Sequence, residues 1–424
     1  MKELEIGHIY WPAQIIRGVL TGLLTGLVIS IYSKAIFIFT DLNQAFPFLV
    51  FLLPYGAILT QYLYSIFGER YRRSTVSAID EINNHRREDR NWAESQIPDE
   101  ITPTMGLVAF IGASVTHISG AAGGKEGAGV QLGLSCSSVI EKTERYFAKK
   151  INNAYDDRSD YYLMSGAAAA FGALFNAPIA GVLFGTQLAS PKATRLDAYL
   201  TCICSSFTAV ITGQITGSHV MHIDPFTPLE INLSNFILVI VFAVLTGLLS
   251  RTFCFTLHAL KHFFDRKIND SMLRVFFPSL ILLALSLSCL VFTGGIVYNG
   301  LGTDLINTAV NNEAQIGDFI FKFIFIALTY VSGFIGGEVV PLMVSGSLAG
   351  WLFASITGAD CGAFAALGAI GLLSGGTNLP IVCFILGFEL FHYSELTLLF
   401  IMCSISFIVS GRSGIYSHQK LPYR

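Results

Sequence analysis

Six long stretches of this chain carry no charge in their interiors: 164–191, 198–224, 231–250, 275–303, 339–358 and 362–388. Each reaches the roughly 20 apolar residues that cross about 30 Å of hydrocarbon as a helix. Shorter apolar runs near 14–33, 46–67, 104–122, 318–334 and 396–411 raise the expectation to ten or more membrane-embedded segments. A soluble reading fails on polar surface. Only 13% of the 424 residues are charged, about half of the roughly 25% usual in soluble domains. The charges are also bunched, 14 of the 55 within 69–100 and 10 within 141–160, so they mark loops between spans. The fold class expected is all-α, a multi-pass membrane protein forming one membrane domain over 1–424.

Nucleic acid is excluded as a partner because the net charge is −3 and no basic domain stands out. The first ten residues carry acids where a signal peptide needs a positive region, so the chain is expected to enter the bilayer through its own helix from about Pro12. Lys and Arg occur in most connecting loops, and the positive-inside rule yields no orientation. Eight cysteines show no metal spacing, and most lie in apolar runs where a thiol packs as a small hydrophobe. No metal and no cofactor are expected.

Glycine and proline cluster inside the apolar runs rather than between them. An interrupted helix in lipid exposes backbone groups unless protein or water satisfies them. Broken helices therefore concentrate around cavities, although close packing of ordinary helices also uses glycine. An internal repeat favours the cavity. Ile118-Ser-Gly-Ala-Ala-Gly-Gly124 matches Val331-Ser-Gly-Phe-Ile-Gly-Gly337 at an offset of 332 − 119 = 213, and each copy is followed almost at once by an acid, Glu126 or Glu338. Phe175-Asn-Ala-Pro-Ile-Ala180 matches Thr377-Asn-Leu-Pro-Ile-Val382 at 378 − 176 = 202. Two motifs recurring in order indicate a duplicated fold, with halves near 12–215 and 231–417. Such repeats place the substrate site near the midplane, between helix ends from both halves.

Gly123-Gly-Lys-Glu-Gly-Ala-Gly-Val-Gln131 reads as a helix start with free N–H groups, which suits an anion. Glu126 would be a tethered carboxylate competing for that site. In low dielectric beside an anion such a group is driven towards its neutral form, so it could alternate between an ionised plug and a proton carrier. Gly336-Gly-Glu-Val-Val-Pro341 is the second half's helix start, with Pro341 in the first turn. Two carboxylates at paired helix starts could pass a proton across an occupied gap. Asn176 and Asn378, each just before a helix-opening proline, are expected as N-caps. Tyr416 is either an interfacial anchor or a functional hydroxyl.

Other patterns fail or stay bland. A phosphate-binding P-loop needs Gly at the position of Ser119 and a hydroxyl at the position of Glu126. His258 and His262 share a helix face without the carboxylate of a metalloprotease helix. Arg70, Arg72 and Arg73 read as side chains snorkelling at a membrane edge. No nucleophile–base constellation supports an enzyme. A sodium-coupled solute transporter would use the same repeat logic.

At these residues the sequence resembles the CLC family of chloride channels and anion/proton antiporters. Gly124-Lys-Glu-Gly-Ala-Gly-Val-Gln131 is similar to the family's Gly-Arg-Glu-Gly-Pro-x-Val-Gln segment. Phe175-Asn-Ala-Pro-Ile-Ala-Gly181, Gly336-Gly-Glu-Val-Val-Pro341 and Gly414-Ile-Tyr-Ser417 fall at three further family segments, in order. Glu338 and the stretch Asn378-Leu-Pro-Ile-Val-Cys383 resemble the bacterial fluoride/proton antiporter branch, which has Glu where chloride members have Phe. The resemblance implies two inverted-topology repeats of broken and tilted helices, and a homodimer in the inner (plasma) membrane. It implies exchange of a small inorganic anion, fluoride by branch or chloride by family, for protons, with a passive channel as the alternative. It makes Glu126 the gating glutamate and Glu338 a second proton-handling acid. The anion site it implies takes Gly124, Lys125, Gly127, Val339, Val340, Tyr416, Ser74 and Asn378.

The chain departs from the pattern in places. Val340 stands where the fluoride branch often has Thr, and Leu188 where chloride/proton antiporters carry an internal Glu. Both glycines of the first anion-coordinating segment are missing near 72–77, which leaves either Arg73 or Ser74 for the coordinating position.

Overall fold

In the computed structural model, residues 11–84, 98–150, 159–190, 198–416 and 418–419 are described. They form sixteen α-helices, two short 3-10 segments and no strand. The first eight are α1 (Trp11–Ala45), α2 (Leu53–Phe67), α3 (Ser74–Asn84), α4 (Pro103–Ile118), α5 (Glu126–Lys150), α6 (Ser159–Phe175), α7 (Pro178–Gln187) and α8 (Tyr199–Ile215). The next are α9 (Leu233–Lys267), α10 (Ser271–Thr293), α11 (Thr303–Val310), α12 (Asp318–Val331), α13 (Val339–Thr357), α14 (Cys361–Thr377), α15 (Pro380–Glu389) and α16 (Leu396–Ser410). Five helical stretches are long and apolar enough to cross a membrane: α1, residues 47–67, α9, α10 and α13. Apart from the 25-residue α5, whose second half is charged, the others are shorter pieces, several of them ending inside the protein.

The packing repeats. The contacts α1–α8, α1–α6, α5–α6 and α6–α8 recur as α9–α16, α9–α14, α13–α14 and α14–α16. Where the halves meet, each helix touches its own counterpart: α2 meets α10, α5 meets α13, and α7 meets α15. Contacts of that kind are what a two-fold relation between repeats produces.

Small residues let these helices approach. Gly18, Gly22 and Gly26 lie one turn apart on α1, and a Cβ on them would sit 2.6, 2.5 and 2.6 Å from the carbonyl oxygens of Thr201, Ser205 and Ala209 on α8. Lipid gives no hydrophobic drive between helices, so such close van der Waals packing holds them. The register also shows that α1 and α8 run parallel.

The two apolar runs with internal Asn-x-Pro break where the sequence predicts, but by another mechanism. Asn176 (φ 52°) and Asn378 (φ 59°) are left-handed, and the N-cap positions of α7 and α15 fall to Ala177 and Leu379. Asn378 is the C-cap of α14. Asn tolerates this conformation better than most residues, so these two end the preceding helices. The N-terminus of α7 is satisfied instead by Glu389 at the end of α15, which accepts from the backbone N–H groups of Ile179 (3.0 Å) and Ala180 (2.8 Å). Glu389→Ala is expected to lower stability by about 1 kcal/mol, the usual worth of a helix cap. Thermal unfolding in detergent would read it, and an unchanged midpoint would assign that cap elsewhere.

The two faces of the bundle differ in charge. Arg17 near the start of α1 donates to Glu144 on the last turns of α5 at 3.0 Å, so these ends share a face with Lys142, Lys149 and Lys150. Late in α1, Lys34 donates to the Thr216 carbonyl at 2.6 Å, which puts residues 216–232 on the opposite face. From there α9 runs back over 35 residues, roughly 50 Å at 1.5 Å per residue. It delivers Arg266 and Lys267 to the first face. The opposite face carries Asp224, bonded to Asn311 beside α11, and Glu230.

Candidate functional site

The repeated glycine segments link α4 to α5 and α12 to α13, and they meet in the interior. Gly124 N–H donates to the Gly337 carbonyl at 2.9 Å, and Gly337 N–H donates to the Gly124 carbonyl at 2.8 Å. These residues are equivalent at the offset of 213, so the two-fold relation passes between them. The same symmetry runs outward. Thr116 Oγ1 donates to the Ile335 carbonyl at 2.8 Å, while Thr329 Oγ1 accepts from Ala122 N–H at 2.8 Å, the partners being exchanged by the same offset.

The crossing requires glycine. A Cβ on Gly124 would lie 2.7 Å from the Gly337 oxygen, and one on Gly337 would lie 2.5 Å from the Gly127 nitrogen. A Cβ on Gly127 would meet the Gly336 oxygen at 2.7 Å. The glycines therefore serve close approach of two backbones. Gly124 spends its N–H on the crossing, so in this conformation it is not a free donor.

The bridge also corrects the pairing of the acids. At an offset of 213, Glu126 is equivalent to Val339 and Glu338 to Lys125. Accordingly Glu126 is the first residue of α5, whereas Glu338 precedes α13 at its N-cap and does not cap it with its side chain. The two carboxylates are neighbours in function of geometry only, since symmetry does not relate them.

Glu126 is 1% exposed, and its Oε2 accepts from the Val340 backbone N–H at 3.3 Å. Its Oε1 has no partner. A carboxylate thus sits on the N-terminal turn of α13, where unpaired N–H groups favour negative charge. Val340 supplies this donor through its backbone, so a missing threonine hydroxyl does not remove it. Val339, also buried, opens the same turn. Glu338 is partly exposed and stands within electrostatic range of Glu126 and of Lys261 on α9.

Tyr416 is brought in after α16 by a segment that turns back into the protein. Ile415 N–H donates to the Gly376 carbonyl at 2.8 Å, and Asn378 Nδ2 donates to the Ser413 carbonyl at 3.1 Å. The Tyr416 ring packs edge-on against Phe184 on α7 at 6.1 Å, within electrostatic range of both Glu126 and Glu338. Asn378 thereby positions the tyrosine segment. Its Nδ2 points at that segment, and its Oδ1 is buried without a partner.

Lys125 is buried but turned away from Glu126. Its Nζ donates to Ser33 Oγ at 2.8 Å and to the His219 carbonyl at 3.1 Å, and it lies 4.8 Å from the centre of the Phe37 ring. Its own carbonyl accepts from Tyr32 Oη at 2.8 Å. The side chains of Arg70, Arg73 and Ser74 lie outside the described residues. Arg72 is held by Gln61 at 2.8 Å over the Tyr64 ring. Leu188 is fully buried, so its position offers no titratable group. Among the described residues no group of three or more His, Cys, Asp or Glu side chains could hold a metal.

Sequence reasoning placed Val340 in the anion site through the family resemblance and missed the Tyr32 hydroxyl and Glu389. Tyr32 is a tyrosine in an apolar run and had no signal. Glu389 had one, as an acid nine residues after a repeated proline.

The architecture and motifs can now be set beside known proteins. The family model for the voltage gated chloride channel matches residues 56–411. The chain belongs to the CLC family. It is 28% identical over 406 residues to the chloride/fluoride channel protein of Pseudomonas syringae pv. tomato, covering 95% of this chain and 85% of that one. It is 27% identical over 336 residues to the H(+)/Cl(-) exchange transporter ClcA of Vibrio cholerae, covering 73% of this chain and 68% of that one. The crystal structure of a CLC-type fluoride/proton antiporter superposes with a TM-score of 0.86 at 25% identity, covering 98% of this chain and 100% of that one. A slow cyanobacterial Cl-/H+ antiporter superposes at 0.75 and 18% identity over 94% of both chains, a likeness of fold. The family is one of transport proteins, and the chain's long apolar helices are those of a membrane-embedded member.

Proposed function

We propose that the chain exports fluoride in exchange for protons, as a homodimer in the plasma membrane. One observation carries the reading: the Glu126 carboxylate occupies the α13 N-terminus through the Val340 N–H. Ionised, it fills the place an anion would take; protonated, it yields that place and carries a proton. Anion and proton then alternate at one point, which couples their flows. Glu338 takes the proton onward, in place of the acid missing at Leu188. Lys125 attracts anions towards the approach on the acidic face rather than ligating them at Glu126. Residues 12–215 and 231–417 act as the two halves of one membrane unit.

The basic face, with Lys142, Lys149, Lys150, Arg266 and Lys267, is cytoplasmic by the positive-inside rule. The dimer forms through α7, α8, α15 and α16, which present Ile179, Phe207, Ile381 and Phe400 outward.

Purified protein in liposomes loaded with fluoride or chloride tests the reading, with ion-selective electrodes and external pH recorded together. Fluoride efflux with proton uptake and little chloride flux is expected. Chloride efflux with proton uptake would make this a chloride/proton antiporter, a reading favoured by the absence of a hydroxyl at Val340. Anion flux with no pH change would make it a passive channel.

A further inference from the structure

Beyond Glu338 a row of polar groups continues to the basic face. Cys254, His258, Lys261 and Asp265 recur on α9 at spacings of four, three and four residues, which puts them on one side of the helix. His258 Nδ1 lies 2.7 Å from the Cys254 carbonyl, tying it to that stripe. The stripe faces α12 and α13, both of which pack on α9. Lys261 Nζ lies 5.7 Å from the centre of the Tyr330 ring on α12. Cys254 is buried, Tyr330 is partly exposed and Lys261 is exposed, so the row grades from interior to surface. Asp265 closes it with a 3.1 Å ion pair to Arg274.

The titratable and charged groups within range of Glu338 are Glu126 from α5, Cys254 and Lys261 from α9, Tyr330 from α12 and Tyr416 from the returning segment. Lys261 is the cation of this set. The second repeat places an acid, Glu338, where the first has Lys125, and Lys125 lies over an aromatic ring of α1, the helix equivalent to α9. The two vestibules have opposite charge at equivalent positions, so they suit different ions.

We propose that the seam between α9 and α12 is the proton exit from Glu338 to the basic face, with Lys261, seated on Tyr330, as its positioning residue. When Glu338 releases its proton to a solvent base at the outer end of the seam, a carboxylate is left in low dielectric. The Lys261 ammonium offsets that charge, and the next proton handed on from Glu126 restores the acid. No other atom changes hands. His258 and the stripe around it line the approach on α9. This inference rests on the antiporter reading, and wild-type protein is therefore assayed first: anion flux without proton movement there would remove the reading itself.

With coupling present in wild type, Lys261→Met is expected to slow proton-coupled fluoride efflux about 10-fold, less than the roughly 100-fold or more that losing the proton-transfer group itself costs. Lys261→Arg keeps the cation and is expected within about 2-fold of wild type, since a charge-based role needs only the charge. Tyr330→Phe keeps the ring face and should match wild type, whereas Tyr330→Ala should fall with Lys261→Met. Detergent melting curves of all four variants accompany the flux data, because exposed Lys261 should hardly affect folding. Coupled efflux at the wild-type rate in Lys261→Met, or equal losses in Lys261→Met and Lys261→Arg, would overturn the assignment.

Discussion

Glu126→Gln is expected to abolish proton movement while leaving a pathway for the anion. The glutamine amide has nearly the shape of the acid but neither ionises nor carries a proton. It therefore cannot alternate between filling the α13 N-terminus and delivering a proton. Fluoride-driven proton uptake should drop by at least about 100-fold, in line with removal of a group that transfers the proton itself. The buried setting sharpens the effect. The Glu126 carboxylate is held by backbone N–H groups, Val340 among them, and no side chain is hydrogen-bonded to it that could take over. The measurement is the ratio of proton to fluoride flux in liposomes. A variant with wild-type coupling and turnover would show that Glu126 is a structural residue of the α5 N-terminus and would remove the proposed mechanism.

Gly337→Ala is expected to be among the most damaging single-methyl additions in the protein. The new carbon would lie 2.5 Å from the Gly127 nitrogen, 2.9 Å from Glu126 Oε2 and 3.1 Å from the Glu126 nitrogen. Backbone atoms cannot swing aside as a flexible side chain can. The cost should reach the upper part of the roughly 1–3 kcal/mol range for overpacking. It should also open the pair of hydrogen bonds between Gly124 and Gly337, because both depend on that approach. Since Glu126 and Val340 flank the crossing on opposite repeats, spreading it should also displace the plug. A lowered melting temperature together with lost anion turnover is the expected result. A control at Gly358, where nothing lies within 4 Å of a built Cβ, separates crowding from backbone strain, since that glycine is left-handed at φ 74°. If Gly337→Ala melts and transports like wild type, the two loops do not cross this closely during transport.

The sequence by itself determined the class of fold and the identity of the two acids. Uncharged stretches of bilayer length, glycine and proline inside them, and two motifs recurring half a chain apart leave little freedom: the chain must be a duplicated membrane protein with broken helices. Glu126 and Glu338 were legible because an ionisable group in apolar sequence is costly and so stands out. The Asn-x-Pro signals correctly marked two breaks, but a residue name does not give a dihedral angle, and Asn176 and Asn378 end helices rather than start them. Only the tertiary structure decided how the repeats face each other. The Gly124–Gly337 bridge joins residues 213 positions apart, and no local pattern encodes which backbone donates to which. That bridge makes Lys125, not Glu126, the counterpart of Glu338, and it delivers the Glu126 carboxylate to a backbone N–H at Val340 in the other half. It likewise gathers the basic loop ends on one face, which the loop sequences alone did not separate. Composition fixes what must be buried; the pairing of distant backbone groups fixes where an ion can sit.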